Sequence, residues 1–175
     1  QTTEFAYLPA VPAPGAQPQA LQAGDTRGNL RRVTLPDGTV IDYIVDPLGR
    51  RVGKVVNGVR TRTWVYGVDP LHPWLELDPD TGAVLAEYAG PVMVKDGHTY
   101  RLIRDQVGSV RLVVDADTGA IAERIEFDSF GRVLSDSNPG FQPFGFGGGL
   151  VDSDTGLVRF GLRDYLPATS ARKRC

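Results

Sequence analysis

The sequence predicts an all-β protein built as an antiparallel meander of β-hairpins. Apolar and polar residues alternate with period two, as in half-buried strands, and no stretch sustains the 3.6-residue period of a helix. The 175 residues include 21 glycines and 13 prolines, so turns are dense. The pentapeptide Asp-x-Asp-Thr-Gly recurs at residues 78–82, 115–119 and 152–156, a spacing of 37 residues. A turn that recurs at a fixed period indicates a repeat architecture.

The first 24 residues differ in composition from the rest of the chain. Residues 1–8 predict a short strand, whereas residues 9–24 are rich in Pro, Ala and Gln, carry no charge and are typical of an extended linker. Two interpretations of this arm stay open: disorder, or a strand that Phe5, Tyr7 and Leu8 anchor on another surface. We therefore divide the chain into an N-terminal arm (1–24), a β domain (25–167) and a basic tail (168–175).

Six hairpins are predicted in order along the β domain. Asp-Gly or Asn-Gly between alternating apolar runs is a strong hairpin signal, and the three Asp-x-Asp-Thr-Gly motifs supply further turns. In one strand the alternation places Ile121, Glu123 and Ile125 on the same face. The predicted pairs are residues 30–35 with 39–45, 51–56 with 59–66, 75–77 with 83–88, 92–95 with 98–104, 109–114 with 120–127, and 150–151 with 157–164.

A second turn motif, Asp-x-x-Gly, occurs at residues 25–28, 46–49, 105–108 and 128–131. The Asp side chain caps such a turn by accepting a backbone N–H, and the glycine supplies the positive φ that closes it. An aromatic residue precedes two of these motifs and an arginine follows them. We expect the aromatic residue to pack on the sheet and the arginine to pair with a carboxylate of a neighbouring turn.

These motifs resemble known sequence repeats. An aromatic residue followed by Asp-x-x-Gly-Arg, with two intervening residues at 43–50 and none at 127–132, is similar to YD repeats. Residues 143–165 (PFGFGGGLVDSDTGLVRFGLRDY) resemble the RHS-repeat-associated core. The resemblance covers residues 25–167 and is most specific over 100–165. The RHS/YD-repeat family includes bacterial RHS polymorphic toxins, the cocoon-forming subunits of insecticidal toxin complexes, and the teneurins. It implies a curved sheet that spirals toward a hollow shell.

The chain departs from that family in three ways. It holds few repeats, it has no variable toxin domain after the core, and the pattern changes after Tyr165, where residues 166–175 read LPATSARKRC. Toxin encapsulation and self-cleavage, which the family's later motifs would supply, are therefore not transferred to this chain.

The residues indicate no catalytic, cofactor-binding or metal-binding site, and no cofactor. Asp-Thr-Gly also marks the catalytic loop of aspartic proteases, but here it follows another Asp within a turn and occurs three times. A turn-bound calcium ion stays open as an alternative, since carboxylates cluster there. The glycine run at residues 145–149 lacks the Lys-Ser/Thr that a phosphate cradle requires.

Other conspicuous side chains favour structural roles. His72 and His98 have no metal-ligand spacing, and Trp64 and Trp74 are expected to be core or interface anchors. The only cysteine is Cys175, so the chain allows no intrachain disulfide; its thiol is either inert or pairs between chains.

The net charge and the first residue of the chain indicate which partners it lacks features for and how it was processed. A net charge of −2 gives no electrostatic footprint for nucleic acid or an anionic membrane, and no apolar stretch reaches the roughly 20 residues of a membrane span. Because the chain begins at Gln1 and its only methionine is Met93, we expect that a leader was removed or that the chain was trimmed.

The exposed edges of a short sheet suggest the function. Strand edges carry unpaired N–H and C=O groups, which another copy can pair. The leading hypothesis is a non-enzymatic, secreted structural protein, extracellular or at the cell surface. It would self-associate through strand edges into fibres, with the N-terminal arm as donor strand. Two alternatives stay open: a shell fragment or remnant of an RHS polymorphic toxin, and an adhesion or carbohydrate-binding module.

Overall fold

The computed structural model describes residues 4–7 and 29–167, and these form an almost entirely antiparallel β structure, which confirms the predicted fold class. The predicted linker, the C-terminal tail and Cys175 lie outside the described residues. The strands are β1 (Glu4–Tyr7), β2 (Leu30–Thr34), β3 (Val40–Val45), β4 (Arg51–Val56), β5 (Val59–Val65), β6 (Leu75–Leu77), β7 (Val84–Ala89), β8 (Val92–Lys95), β9 (His98–Arg104), β10 (Val110–Asp115), β11 (Ile121–Phe127), β12 (Val133–Asp136), β13 (Leu150–Asp152), β14 (Leu157–Phe160) and β15 (Arg163–Tyr165).

The chain divides into two compact units, and the division falls within β7. The first unit comprises Gln1–Leu85 and Gly161–Arg163. Its strands lie in the sheet in chain order, from β1 to β6, and each pairs antiparallel with its neighbour. The predicted N-terminal strand is therefore present, and it pairs with β2 of its own chain. The buried apolar residues of this unit include Leu30, Val33, Ile41, Tyr43, Val45 and Trp64.

The second unit comprises Ala86–Phe160 and Asp164–Cys175. Strands β7 to β12 again lie in chain order with antiparallel pairing. Strands β13 and β14 pair separately as a hairpin. The core of this unit is a cluster of buried apolar side chains from β7 to β10 and from the segment that follows β12. Its members are Ala86, Tyr88, Met93, Leu102, Val110, Val113 and Phe144.

The Asp-x-Asp-Thr-Gly motifs form the hairpin turns that the sequence predicts. Asp78 Oδ1 accepts hydrogen bonds from the backbone N–H of Asp80 at 3.1 Å and of Thr81 at 2.7 Å, and from Thr81 Oγ1 at 2.8 Å. The turn at Asp115 repeats this set with distances of 3.0, 2.8 and 2.9 Å. Hydrogen bonds from the backbone N–H and then the hydroxyl of the threonine lower the pKa of both aspartates. The aspartate is thus held as an ionised turn cap.

The Asp-x-x-Gly motifs also form turns, but the arginine that follows the glycine does not pair with the group that we expect. Asp46 Oδ1 accepts the N–H of Leu48 at 3.0 Å and of Arg50 at 2.9 Å, and Gly49 has φ of 82°. Arg50 Nε lies 2.7 Å from Asp46 Oδ2, and Arg132 pairs in the same way with Asp128 at 3.3 Å. The expected pairing with a neighbouring turn is therefore wrong. The glycine reverses the chain, so the arginine four residues on returns beside its own aspartate.

Two further differences concern the end of the chain. Residues 157–164, expected as one strand, are interrupted at Gly161, whose φ of 56° turns the backbone between β14 and β15. Strand β12 was not predicted. It has four residues, three of them exposed, so it lacks the period-two pattern by which the other strands were recognised.

The turn geometry predicts that Asp115→Ala destabilises the protein and that Asp117→Ala does not. Asp115 Oδ1 caps the turn with three hydrogen bonds, whereas Asp117 is exposed at the tip of the same turn. We expect D115A to lower the midpoint of thermal unfolding by about 2–4 °C, with D115N closer to wild type because its amide oxygen still accepts. Equal midpoints for D115A and D117A, measured by circular dichroism, would show that the cap is dispensable.

Candidate functional site: the glycine-rich segment and its buried contacts

The glycine-rich segment, residues 141–149, lies against the core of the second unit. Phe144 is buried in that core and packs edge-to-face on Tyr88, with ring centroids 5.0 Å apart. At the start of the segment, Phe141 packs edge-to-face on Tyr100 at 5.1 Å. The segment begins the stretch that resembles the RHS-associated core, so its contacts are the strongest candidate for a functional site.

Its glycines are required by close packing. A Cβ atom at Gly145 would lie 2.4 Å from Val151 Cγ2, and one at Gly149 would lie 2.5 Å from Val158 Cγ1. Both valines belong to the hairpin of β13 and β14, which the segment enters directly. The space that a side chain needs at these two positions is already filled, whereas Gly147 and Gly148 have positive φ of 58° and 73°.

One turn of the sheet docks the segment through a serine. Ser109 stands where Arg50 and Arg132 stand in the related turns. It is fully buried, and its own N–H donates to Asp105 Oδ1 at 2.9 Å. Its Oγ accepts the backbone N–H of Gly147 at 2.9 Å. The replacement of arginine by serine therefore turns a self-contained turn into an attachment point for the segment.

A second turn holds the segment through aromatic packing. Phe146 contacts the turn at residues 128–131, where a Cβ atom on Gly131 would lie 2.4 Å from its ring. Phe146 also packs against Phe127 at 6.1 Å and stacks on Tyr165 at 6.3 Å, and the Tyr165 hydroxyl donates to Phe130 O at 2.7 Å. The expectation that the aromatic residue before this Asp-x-x-Gly motif packs on the fold is confirmed for Phe127.

A buried carboxyl group lies beneath the segment. Glu123 of β11 is 1% exposed, and its Oε2 accepts a hydrogen bond from Gln142 Nε2 at 2.9 Å. The pKa of Glu123 is raised to about 7, chiefly by burial and with a smaller contribution from Asp136, while the Gln142 hydrogen bond and Lys95 oppose the shift. The sequence did carry a signal for this residue, because alternation places Glu123 on the same face as Ile125, which is buried. The other residue expected on that face, Ile121, is 51% exposed, because the register shifts between Ile121 and Glu123.

A buried ion pair joins β14 to β15. Arg159 Nη1 lies 2.6 Å from Asp164 Oδ2, and the side chains are 3% and 2% exposed. The pair spans the turn that interrupts the predicted strand. The ion pair therefore holds β15, at the end of the stretch 143–165, beside β14.

The other residues considered from the sequence do not converge on a site. His72 Nδ1 pairs with Asp69 Oδ2 at 2.7 Å, and His98 Nδ1 lies 3.5 Å from Asp115 Oδ2. Within residues 4–7 and 29–167, no group of three or more His, Cys, Asp or Glu residues could hold a metal ion. Trp64 is buried, as expected, whereas Trp74 is 55% exposed and is not a core residue. The same part of the chain contains no helix that is long and apolar enough to span a membrane.

Comparisons with known proteins match most of the chain. The family described as the Teneurin YD-shell matches residues 22–169. The chain is 36% identical to Teneurin-4 from Mus musculus over 137 residues, which is 73% of this chain and 5% of that protein. It is 28% identical to Teneurin-1 from Gallus gallus over 137 residues, again 73% of this chain and 5% of that protein. The chain thus spans about one twentieth of the length of these relatives.

A solved structure shares the fold. The one described as "Crystal Structure of TcdB2-TccC3-Cdc42" matches with a TM-score of 0.61 and 21% sequence identity. The match covers 81% of this chain and 8% of that chain.

The contact between Phe146 and the turn predicts that Gly131→Ala is far more damaging than Gly119→Ala. Both glycines have positive φ, 84° and 73°, but a Cβ atom on Gly119 meets nothing within 4 Å. We expect G119A to cost about 1 kcal/mol from backbone strain, and G131A about 2–4 kcal/mol because Phe146 must also move. Urea unfolding measures both; similar losses would show that the packing at Phe146 is loose.

The buried ion pair predicts that Asp164→Asn destabilises the protein by about 3–5 kcal/mol, because the buried guanidinium of Arg159 loses its charged partner. Asp117→Asn, an exposed aspartate at the tip of a related turn, serves as the matched control and should change stability by less than about 0.5 kcal/mol. If urea unfolding gives D164N and D117N the same free energy of unfolding, the pair contributes nothing to the fold.

Proposed function

This chain belongs to the teneurin YD-shell family, and on that premise we propose that it is a non-enzymatic structural protein of the extracellular space. Its role is to extend a β-sheet by pairing its strand edges with further strands. The observation that carries the proposal is the strand order, since every strand from β1 to β6 and from β7 to β12 adds to the one before it. A sheet built in this way continues wherever another strand is offered.

The edge at β12 is suited to such pairing. In the described part of the chain, β12 has a strand neighbour on one side only, β11. Its Val133 and Leu134 are 48% and 57% exposed. The backbone groups on the outer side of an edge strand need partners, and a further strand supplies them while covering apolar side chains. Another copy of the chain is the partner that we propose.

Strand β1 is the proposed donor. It pairs with β2 through the backbone, with Glu4 opposite Thr34 and Ala6 opposite Arg32. The same hydrogen bonds are available to β1 from a second copy, so exchange of this strand links two chains without losing pairing. When each copy donates to the next and the rotation does not close, the product is a filament. The fibre hypothesis therefore reduces to whether β1 pairs within the chain or between chains.

A second candidate rests on the coverage of the relatives. The chain corresponds to 5% of the Mus musculus teneurin and 8% of the matched toxin-complex chain. Under this proposal the edges pair with additional YD repeats of a larger shell, as in an RHS toxin from which this segment derives. The neighbouring DNA distinguishes the two: an upstream repeat array in the same reading frame favours the shell segment, whereas a signal peptide ending just before Gln1 favours the secreted subunit.

Strand exchange predicts a disulfide between copies. In a Cys175→Ser background, copies carrying Ala6→Cys are mixed with copies carrying Arg32→Cys, unfolded together, refolded and oxidised. Exchange of β1 places the two cysteines opposite each other on different chains, so a cross-linked dimer forms. The matched control replaces Arg32→Cys by Arg60→Cys, an exposed arginine of β5, and should give little dimer.

Light scattering and electron microscopy give the second arm of this test. The full chain should form large assemblies, and deletion of residues 1–12 should leave a compact monomer. A full chain that stays monomeric at high concentration overturns self-association. Fibres that persist after the deletion overturn only the donor-strand step.

A further inference from the structure

Glu123 is enclosed between the sheet of the second unit and the glycine-rich segment. It lies in the middle of β11, opposite Val113 of β10, and both residues face the core. Its carboxyl group accepts a hydrogen bond from the segment above, from Gln142 Nε2 at 2.9 Å. This carboxyl group lies where the glycine-rich segment contacts the sheet, so its charge affects how tightly the segment packs on the sheet.

Gln142 connects that carboxyl group to the backbone of the segment. Its Nε2 also donates to Phe144 O at 2.7 Å, and its Oε1 accepts the N–H of Phe144 at 2.7 Å. Phe144 in turn carries the segment into the core, against Tyr88. A change at Glu123 is therefore passed through one side chain to the residue that anchors the segment.

The surrounding groups leave the charge of Glu123 poorly compensated. Lys95 of β8 donates to Phe141 O at 2.7 Å and lies 4.7 Å above the Phe141 ring, and its positive charge only partly opposes the raised pKa of Glu123. Tyr100 of β9 packs on the same ring. Asp136 of β12 and Asp115 of β10 are both acidic, and Asp115 has its own partner in His98 at 3.5 Å. An ionised Glu123 would be a buried anion close to the carboxylate of Asp136.

We propose that Glu123 and Gln142 form a proton-dependent latch, which holds the glycine-rich segment against the sheet while Glu123 is protonated and loosens it when Glu123 ionises. The direction follows from the equilibrium between the two forms. In the closed form the pKa of Glu123 is raised to about 7, and in the open form the group returns toward its ordinary 4.5. Closure is therefore most stable below about pH 4.5, weakens as the pH rises, and levels off above about pH 7.

Hydrogen exchange of single amides, followed by NMR on the full 175-residue chain, tests the latch. The readouts are the N–H groups of Phe144 and Gly147 in the segment, with Val113 of β10 as the reference for global unfolding. Comparing wild type with Glu123→Gln at each pH cancels the intrinsic dependence of exchange on pH. We expect the ratio of the Phe144 rates, wild type over E123Q, to rise about tenfold per pH unit between pH 5 and 7 and then to level off.

Several outcomes overturn the latch. A ratio for Phe144 that does not change with pH shows that the segment ignores the charge of Glu123. An equal rise at Val113 shows that ionisation destabilises the whole unit rather than opening the segment. Glu126→Gln, on the same strand but exposed, is the matched control, and its profile should follow wild type.

A measurement on the wild-type chain keeps the proposal testable if E123Q fails to fold. The chemical shift of the Glu123 carboxyl carbon should titrate with a midpoint near 7, and the amide shift of Phe144 should follow the same curve. A midpoint near 4.5, or a Phe144 shift that does not follow it, overturns the latch.

Discussion

Aspartate caps at the recurring Asp-x-x-Gly and Asp-x-Asp-Thr-Gly turns are the interaction on which the rest of the fold depends. A meander has few long-range connections to set its register, so each strand inherits its position from the turn before it. One carboxylate oxygen gathers two backbone N–H groups at Asp46, Asp105 and Asp128, and two N–H groups with a hydroxyl at Asp78 and Asp115. Because these bonds are local, the same arrangement recurs at each of these five turns.

Local turn chemistry also explains how much of the fold could be predicted. Strands β4, β6, β8 and β9 have the predicted bounds, since Asn-Gly, Asp-Gly or Asp-Thr-Gly marks at least one end of each strand. The turn at Asn57 and Gly58 shows why: both residues have positive φ, the conformation that this dipeptide favours. What could not be predicted depends on distant packing. Strand β12 lacks alternation, and the break at Gly161 accompanies a buried ion pair that only the folded chain brings together.

The sequence predicted no functional residues, and the candidate site was recognised only in the folded chain. Residues 143–165 stood out by their resemblance, yet the partners of the segment, Ser109 and Glu123, come from distant turns and strands. Each carried a weak signal of its own: a serine where related turns have arginine, and a charged residue on an apolar face. Neither signal shows what the residue contacts, because burial of a polar group is decided by the segment that covers it.

The serine at position 109 shows how a repeating sheet acquires individual features. In the related turns the residue after the glycine is an arginine that returns to its own aspartate, so this side chain is used within its own turn. In the serine turn the aspartate still receives its two N–H groups. The fold of the turn and its external contact are thus separable properties. A repeat can therefore be duplicated with its turn intact. One side-chain change then gives that turn a contact to another part of the chain.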